Sequence, residues 1–479
     1  MRAPNLPTTG ALLALLALGG CKVGPNYKAP IMPAPPEYSD NGHNGDWAAA
    51  TPADQTDRGA WWAVYNDAEL NNLEQRCAMA NQDIEAALHA YEQAHDLVRE
   101  THASLYPTVS IGVSAIRNQG SRNDPLASPT SKLNYWDFLI PLDISWEPDL
   151  WGGIRRQIES SAASAQASAA DLANTRLSLQ GMLAVTYFQL HGLDLQAQLL
   201  RATLDDYTQM LQLTLDRKKQ GLDSDIDIEQ AKAQLEETRA QLIDLGVQRA
   251  QYEHAIAVLV GTPATGFHIA ERPLAGDPPT VPTGIPSQLL ERRPDIAAAE
   301  RRVAAANALI GVAKSTYFPT LTLGASGGTD SDLPSKLLSP ASTEWSVGPS
   351  INETIFDAGR RRAQVAYALA QRKQATALYR EQVLSAFRDV EDQLAALRVL
   401  EDEATVTARA VDAAKKSTAL STLRYKRGLA AYLEVLTNQT IELNDERSAA
   451  ALISRRIVAS TQLQMALGGG WSSTQLPKN

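Results

Sequence analysis

The chain has 479 residues, 44% of them hydrophobic and 6% aromatic, with 29 glycines. That composition excludes both a disordered chain and a membrane protein of many helical spans. Its 44 Lys and Arg against 54 Asp and Glu leave a net charge of −10, which argues against nucleic acid as the main partner and is compatible with small cationic or amphiphilic cargo.

The chain opens with an apolar run, residues 11–18, followed by Gly19, Gly20 and Cys21. The run is too short to cross a bilayer as a helix. Leu18-Gly19-Gly20-Cys21 resembles a bacterial lipoprotein cleavage site, which makes residues 1–20 a signal peptide and Cys21 the lipidated first residue; an ordinary secretory signal is the alternative. Lys22 rather than Asp after the cysteine favours the outer membrane, by resemblance to sorted lipoproteins. Cys77, the other cysteine, is then expected to be a small buried residue on a helix. Residues 21–60, rich in Pro, Gly, Asn and Asp, read as an extended tether that lets the anchor sit away from the folded body.

Residues 61–261 form a first repeat. From Asp67 to Leu105, Leu70, Leu73, Cys77, Ile84, Leu88 and Leu97 return at helical spacing, until Tyr106-Pro107 ends the helix. The period then becomes two: Val109, Ile111, Val113 and Ala115 alternate with small polar residues over 108–117, and Phe138, Ile140, Leu142, Ile144 and Trp146 share one face of 135–147. Strands of about ten residues suit the wall of an outer-membrane barrel, or a soluble hairpin on a core. No proline interrupts residues 149–262, and apolar residues recur there at steps of three and four. The spacing predicts a long helix over 152–220, roughly 100 Å at 1.5 Å per residue, a break at Gly221, and a second helix over 223–260.

Residues 262–294 contain seven prolines and read as a linker that crosses the molecule. The pattern then repeats over 295–470: a helix, strands at 320–327 and 345–352, a long helix over 358–427, and a helix over 430–468, before a tail at 471–479. Leu105-Tyr106-Pro107-Thr108 is echoed by Tyr317-Phe318-Pro319-Thr320, and RKKQGL at 217–222 by RYKRGL at 424–429, about 210 residues later. A period of that length indicates a duplicated module rather than a solenoid.

Four strands per chain cannot close a barrel, and open edges are not tolerated in lipid. Three chains give twelve strands and an open lumen, which the small polar inward faces and Asp143 favour over two chains and a filled interior. Ala404, Ala408 and Ala414, with Val411 between, allow close helix approach in a curved wall. The fold class expected is mainly α with membrane β: four strands per chain in a trimeric twelve-strand barrel, continued by a long periplasmic helical, coiled-coil barrel. Conduction, not chemistry, is the function that follows. His95 and His102 lie about 10 Å apart along a helix, too far to share a metal. GVAKST at 311–316 lacks the glycines of a phosphate loop, and no catalytic or metal residue is assigned.

CKVGPNYKAP at 21–30, WWAVYNDAELNNL at 61–73, IPLDISWEPDLWGGIRR at 140–156, LLERRPDIAAAERRVAAANALIGVAKSTYFPTLTL at 289–323 and MALGGGW at 465–471 resemble the TolC-like outer-membrane factors, in the lipoprotein branch that serves efflux pumps, the OprM/NodT type. The resemblance implies a homotrimeric exit duct with no cofactor beyond a covalent lipid on Cys21, in contact with outer-membrane lipid. It implies two further partners, a periplasmic adaptor and an inner-membrane pump, often of the proton-driven resistance-nodulation-division type. It also places the gate and the adaptor-docking end at the two helical tips. Arg217, Lys218, Lys219, Asp223, Asp225, Asp227, Arg424, Tyr425, Lys426 and Arg427 are then placed for salt bridges between protomers, with Gly221 and Gly428 making the turns; alternatively the same charges only complement helix dipoles. Ala430 and Ala431 stand where many relatives carry an Asp. A type I protein-secretion duct and a lipid-anchored coiled-coil scaffold are the rival readings; the scaffold does not explain strands at matching places in two repeats.

Overall fold

The computed structural model describes residues 22–32, 38, 60–121, 134–279, 292–471 and 475–477. The signal segment, Cys21, the strand loop at 122–133 and part of the expected linker lie outside these. The elements in chain order are α1 (Ala68–Ala80), α2 (Gln82–Ala103), β1 (Thr108–Ile111), β2 (Ser114–Gln119), β3 (Asn134–Trp146), α3 (Gly153–Lys219), α4 (Asp225–Leu259), α5 (Pro294–Ser315), β4 (Thr320–Ser331), β5 (Thr343–Asn352), α6 (Arg360–Lys426) and α7 (Tyr432–Ala466). The two repeats match in length: α3 and α6 have 67 residues each, α4 and α7 have 35 each.

Three features of the folded body depart from the sequence reading. The first helix is two, because Asn81 leaves the helical region, caps α2 by accepting from the N–H groups of Asp83 (2.9 Å) and Ile84 (3.2 Å), and donates Nδ2 to the Leu259 carbonyl (2.9 Å). The first strand is also two, β1 and β2, although both pair with β3 in one continuous register. The interruption faces Pro141, which has no N–H to give; it only accepts, from the Gly112 N–H at 3.0 Å. The segment after α4, expected as a linker, packs: Ile269 and Leu274 are buried in the core with α3, and the Leu274 N–H bonds the His191 carbonyl.

The antiparallel sheet runs β1-β3-β4-β5, with β2 beside β1 on β3. Register puts Val109, Ile111, Leu142, Ile144, Trp146, Trp345, Val347 and Ile351 on one face, all exposed in the single chain. The opposite face carries Asp143, which accepts from Ser326 Oγ at 2.7 Å, with Ser346 next in register. Strands give way to helices within a few residues, through a left-handed glycine in each repeat, Gly152 (φ 78°) and Gly359 (φ 89°). Asp149 and Asp357 each cap that turn and bind an arginine of the following helix, Arg155 and Arg361. α3 is the hub, packing against α2, α4, α5 and α7. Its closest approaches use small residues: a Cβ on Gly192 would meet Ser454 Oγ of α7 at 2.7 Å. Cys77 is fully buried between α1 and the core. Among the described residues no helix is long and apolar enough to cross a membrane.

Candidate gate at the helical tips

The far ends of the two long helices fold alike. Past Lys219 the chain turns through Gly221 at φ 76°, with the Gly221 N–H on the Lys218 carbonyl (2.8 Å) and the Leu222 N–H on the Arg217 carbonyl (3.0 Å). Past Lys426 it turns through Gly428 at φ 72°, with the Gly428 N–H on the Tyr425 carbonyl (2.9 Å) and the Leu429 N–H on the Arg424 carbonyl (2.9 Å). These bonds satisfy the last carbonyls of each helix and require a left-handed residue, which glycine supplies without strain.

The restarts differ. Ser224 and Asp227 form a reciprocal capping box on α4, the Ser224 N–H bonding Asp227 Oδ2 at 2.9 Å. α7 follows Ala431, which offers no side-chain cap, and Glu434 in its first turn pairs with Arg424 at 2.8 Å.

One charged group joins the tips. Asp223, with only 6% of its side chain exposed, receives Arg217 in a two-pronged bond, Nε at 2.9 Å and Nη2 at 3.2 Å. Tyr425, from the second repeat, donates its hydroxyl to Asp223 and also lies 3.0 Å from Thr214 Oγ1 on α3. The Arg217 guanidinium sits 4.5 Å from the Tyr425 ring centroid, and Tyr432 meets that ring edge-on at 5.7 Å. Tyr425 and Tyr432 are buried with Met210, Ala231 and Val435. Burial, and then the bond to Asp223, push the Tyr425 phenol up to about 12, so it stays protonated and remains a donor. Asp223 in turn holds the Arg217 guanidinium charged, above its ordinary range.

The predicted tip residues therefore separate by role. Arg217, Asp223 and Tyr425 form one latch between hairpins of the same chain. Lys218 pairs with Asp225, Lys219 with Asp216 at 2.9 Å, and Asp227 belongs to the cap. Within the single chain these residues make internal pairs, because the tight turn brings each basic helix end within reach of the acidic restart. Lys426 and Arg427 are exposed on the second tip. Thr214, Tyr432 and Glu434 were not singled out from the sequence. The seven-residue spacing of Tyr425 and Tyr432 across a turn was the available signal for one of them.

Between α3, α6 and α7, directly behind the latch, a cleft of about 640 Å³ is lined by Asp206, Tyr207, Lys415 and Glu442 among others. Tyr425, bonded to Thr214, joins α6 to α3 at the tip end of this cleft.

A family profile described as "Outer membrane efflux protein" matches residues 73–262 and 285–469, one span on each repeat. Over 473 residues, 98% of both chains, the sequence is 31% identical to the pyoverdine export outer membrane protein OpmQ of Pseudomonas aeruginosa. Over 484 residues, 99% of this chain and 100% of the other, it is 31% identical to the solvent efflux pump outer membrane protein SrpC of Pseudomonas putida. The fold superposes on the outer-membrane channel OprN with a TM-score of 0.86 at 30% identity, covering 94% of this chain and 100% of that one.

Proposed function

This chain belongs to the outer membrane efflux protein family and is the outer-membrane exit duct of a tripartite efflux system; on that footing we propose that three copies close one tube whose periplasmic end is held shut by the Arg217–Asp223–Tyr425 latch. The strands support the count, since each chain brings one open sheet with an apolar face and a small polar face, and closure in lipid needs partner edges. The helices, roughly 100 Å long, supply the periplasmic part of the wall. A periplasmic adaptor engages the tips, and an inner-membrane pump of the resistance-nodulation-division type drives the cargo. The duct conducts without catalysis and needs no cofactor, its one modification being an acyl group on Cys21. Small molecules rather than unfolded protein are the cargo class, in line with relatives named for pyoverdine export and solvent efflux. Those names differ at equal likeness to this chain, so the pump and not the duct selects the molecule.

The observation that carries the gate is Asp223, a buried carboxylate bonded at once to its own helix end and to the other hairpin. Single-channel conductance in planar bilayers tests it. Asp223→Ala is expected to raise conductance several-fold by releasing both partners, whereas Asp225→Ala, which removes only an exposed pair with Lys218, is expected to leave it unchanged. Equal effects of the two substitutions, or none from the first, would refute the latch.

A further inference from the structure

The amino-terminal segment is not the free tether its composition predicts. From Lys22 to Met32 it lies along α5, antiparallel to it, and every few residues make a specific contact. The Val23 N–H bonds the Trp151 carbonyl at 3.1 Å. The Arg156 side chain of α3, 1% exposed, donates to the carbonyls of Val23 (3.0 Å) and Gly24 (3.1 Å), to Asn26 Oδ1 (2.9 Å) and to Glu159 (2.8 Å), and Lys22 meets the same Glu159 at 2.5 Å. Asn307 donates to the Pro25 carbonyl at 2.9 Å. Tyr27 bonds Glu300 one helical stretch further along, Met32 packs near Ile296, and Tyr38 is buried among Val390, Leu394 and Leu463.

The receptor is built for backbone. A Cβ on Gly24 would lie 2.5 Å from Gly311 Cα, and one on Gly311 would lie 2.7 Å from the Val23 carbonyl oxygen. Two glycines thus face each other where the strap crosses α5. If the strap withdrew, the buried guanidinium would lose three of its four acceptors and keep only Glu159, and this holds the strap in place.

The docked end also has a defined height. Trp151 stands between the last residue of β3 and the start of α3, donates its indole N–H to the Pro319 carbonyl just before β4 (2.8 Å), and stacks on Phe318. Exposed aromatic residues collect at this level, Tyr106, Trp146, Tyr317, Phe318 and Phe356, as they do where protein meets the edge of a bilayer. Lys22, the residue that follows Cys21 in sequence, is fixed at that level by its pair with Glu159.

We propose that Arg156, with the Gly24–Gly311 crossing, is a positioning device for the acyl anchor: it delivers the lipid on Cys21 to one fixed point beside the barrel's periplasmic rim. The inference rests on the reading of Cys21 as acylated. The anchor then inserts its chains next to β3 and β4 of its own protomer, rather than sampling the leaflet around the tube.

Cells fed a diazirine-bearing fatty acid would carry the photoprobe on Cys21, and intact-mass and peptide analysis of the purified full-length protein reports acylation separately. After irradiation, adducts within the chain are expected to concentrate on peptides spanning 105–112, 143–153 and 316–323. Arg156→Met removes the bonds to the strap. Gly311→Ala adds one methyl that meets both the Val23 carbonyl oxygen and the Arg156 side chain at 2.7 Å while favouring the helix itself, so it displaces the strap without removing the guanidinium and keeps the test open if the first variant fails to fold. Either is expected to lower the ratio of rim adducts to adducts elsewhere about tenfold, the effect of losing a charge-assisted hydrogen bond, with trimer yield and acylation unchanged. Adducts scattered in the wild type, or the same rim pattern in both variants, would overturn the positioning role. An unacylated Cys21 would instead overturn the lipidation reading, and a nitroxide at Lys28→Cys, immobile in the wild type and freed in Gly311→Ala, still decides whether the strap is held.

Discussion

Glu74 provides a sharp test of how the periplasmic core is balanced. It sits on α1 with 0% exposure beside Leu70, Leu73 and Cys77, and neither carboxylate oxygen has a hydrogen-bond partner among the described residues. Burial pushes its carboxyl up to about 9 from an ordinary 4.5. The folded chain therefore holds a proton that the unfolded chain releases above pH 4.5. Stability falls as pH rises through that window, by about 1.4 kcal/mol per unit, and the loss levels off above the folded value. At pH 7 the ionisation preference of the unfolded state costs about 3 kcal/mol. Glu74→Met, of similar length and without charge, removes this term. Its advantage over the wild type should widen by about 4 kcal/mol between pH 5 and pH 8, read as thermal or denaturant unfolding of the detergent-solubilised protein at several pH values. Glu74→Gln should share the flat pH response while keeping an unpaired polar group, and so fall below Met at every pH. A wild type and Met variant whose difference stays constant over that range would show that Glu74 is solvated or paired and that the reasoning fails.

Replacing Gly221 or Gly428 by Ala should cost about 1 kcal/mol each through left-handed strain alone, since no atom lies within 4 Å of the added methyl, and their effects on unfolding should be equal and additive. On the lumen face, register places Asp137, Asp330 and Glu344 on adjacent strands towards the loop end of the sheet. Glu344→Gln should lower cation preference, measured as a smaller reversal potential across a salt gradient, with little change in conductance.

The architecture was legible because its signals are local or repeated. Long proline-free seams, the switch to period two and paired glycines each report on their own neighbourhood, and duplication printed each of them twice. Gly221 and Gly428 marked the turns for the physical reason the backbone shows, a left-handed residue after a basic helix end. What stayed hidden depends on contacts made at long range. Asn81 breaks a helix without proline or glycine because Leu259, far along the chain, offers it a carbonyl. Asp223 read as one of several acids at a helix start, and only the arrival of Tyr425 from the other repeat sets it apart from Asp225. The strap misled because proline-rich sequence looks the same whether it is free or laid into a receptor. Arg156 was visible only as the last residue of the run IPLDISWEPDLWGGIRR, with nothing local to indicate that it holds a backbone from 130 residues away.

Arg156 and Arg217 stand near opposite ends of one unbroken helix, separated by about 90 Å along its axis. One end of α3 is clamped by the amino-terminal strap and the other is joined to the second repeat's long helix by a latch. The helix is in effect a shaft with a stator at its top. A force that unlatches the tip can twist or bend the lower span, but the clamp stops the shaft from spinning as a whole. Opening at the periplasmic end should therefore leave the strand register, and with it the seal in the outer membrane, undisturbed.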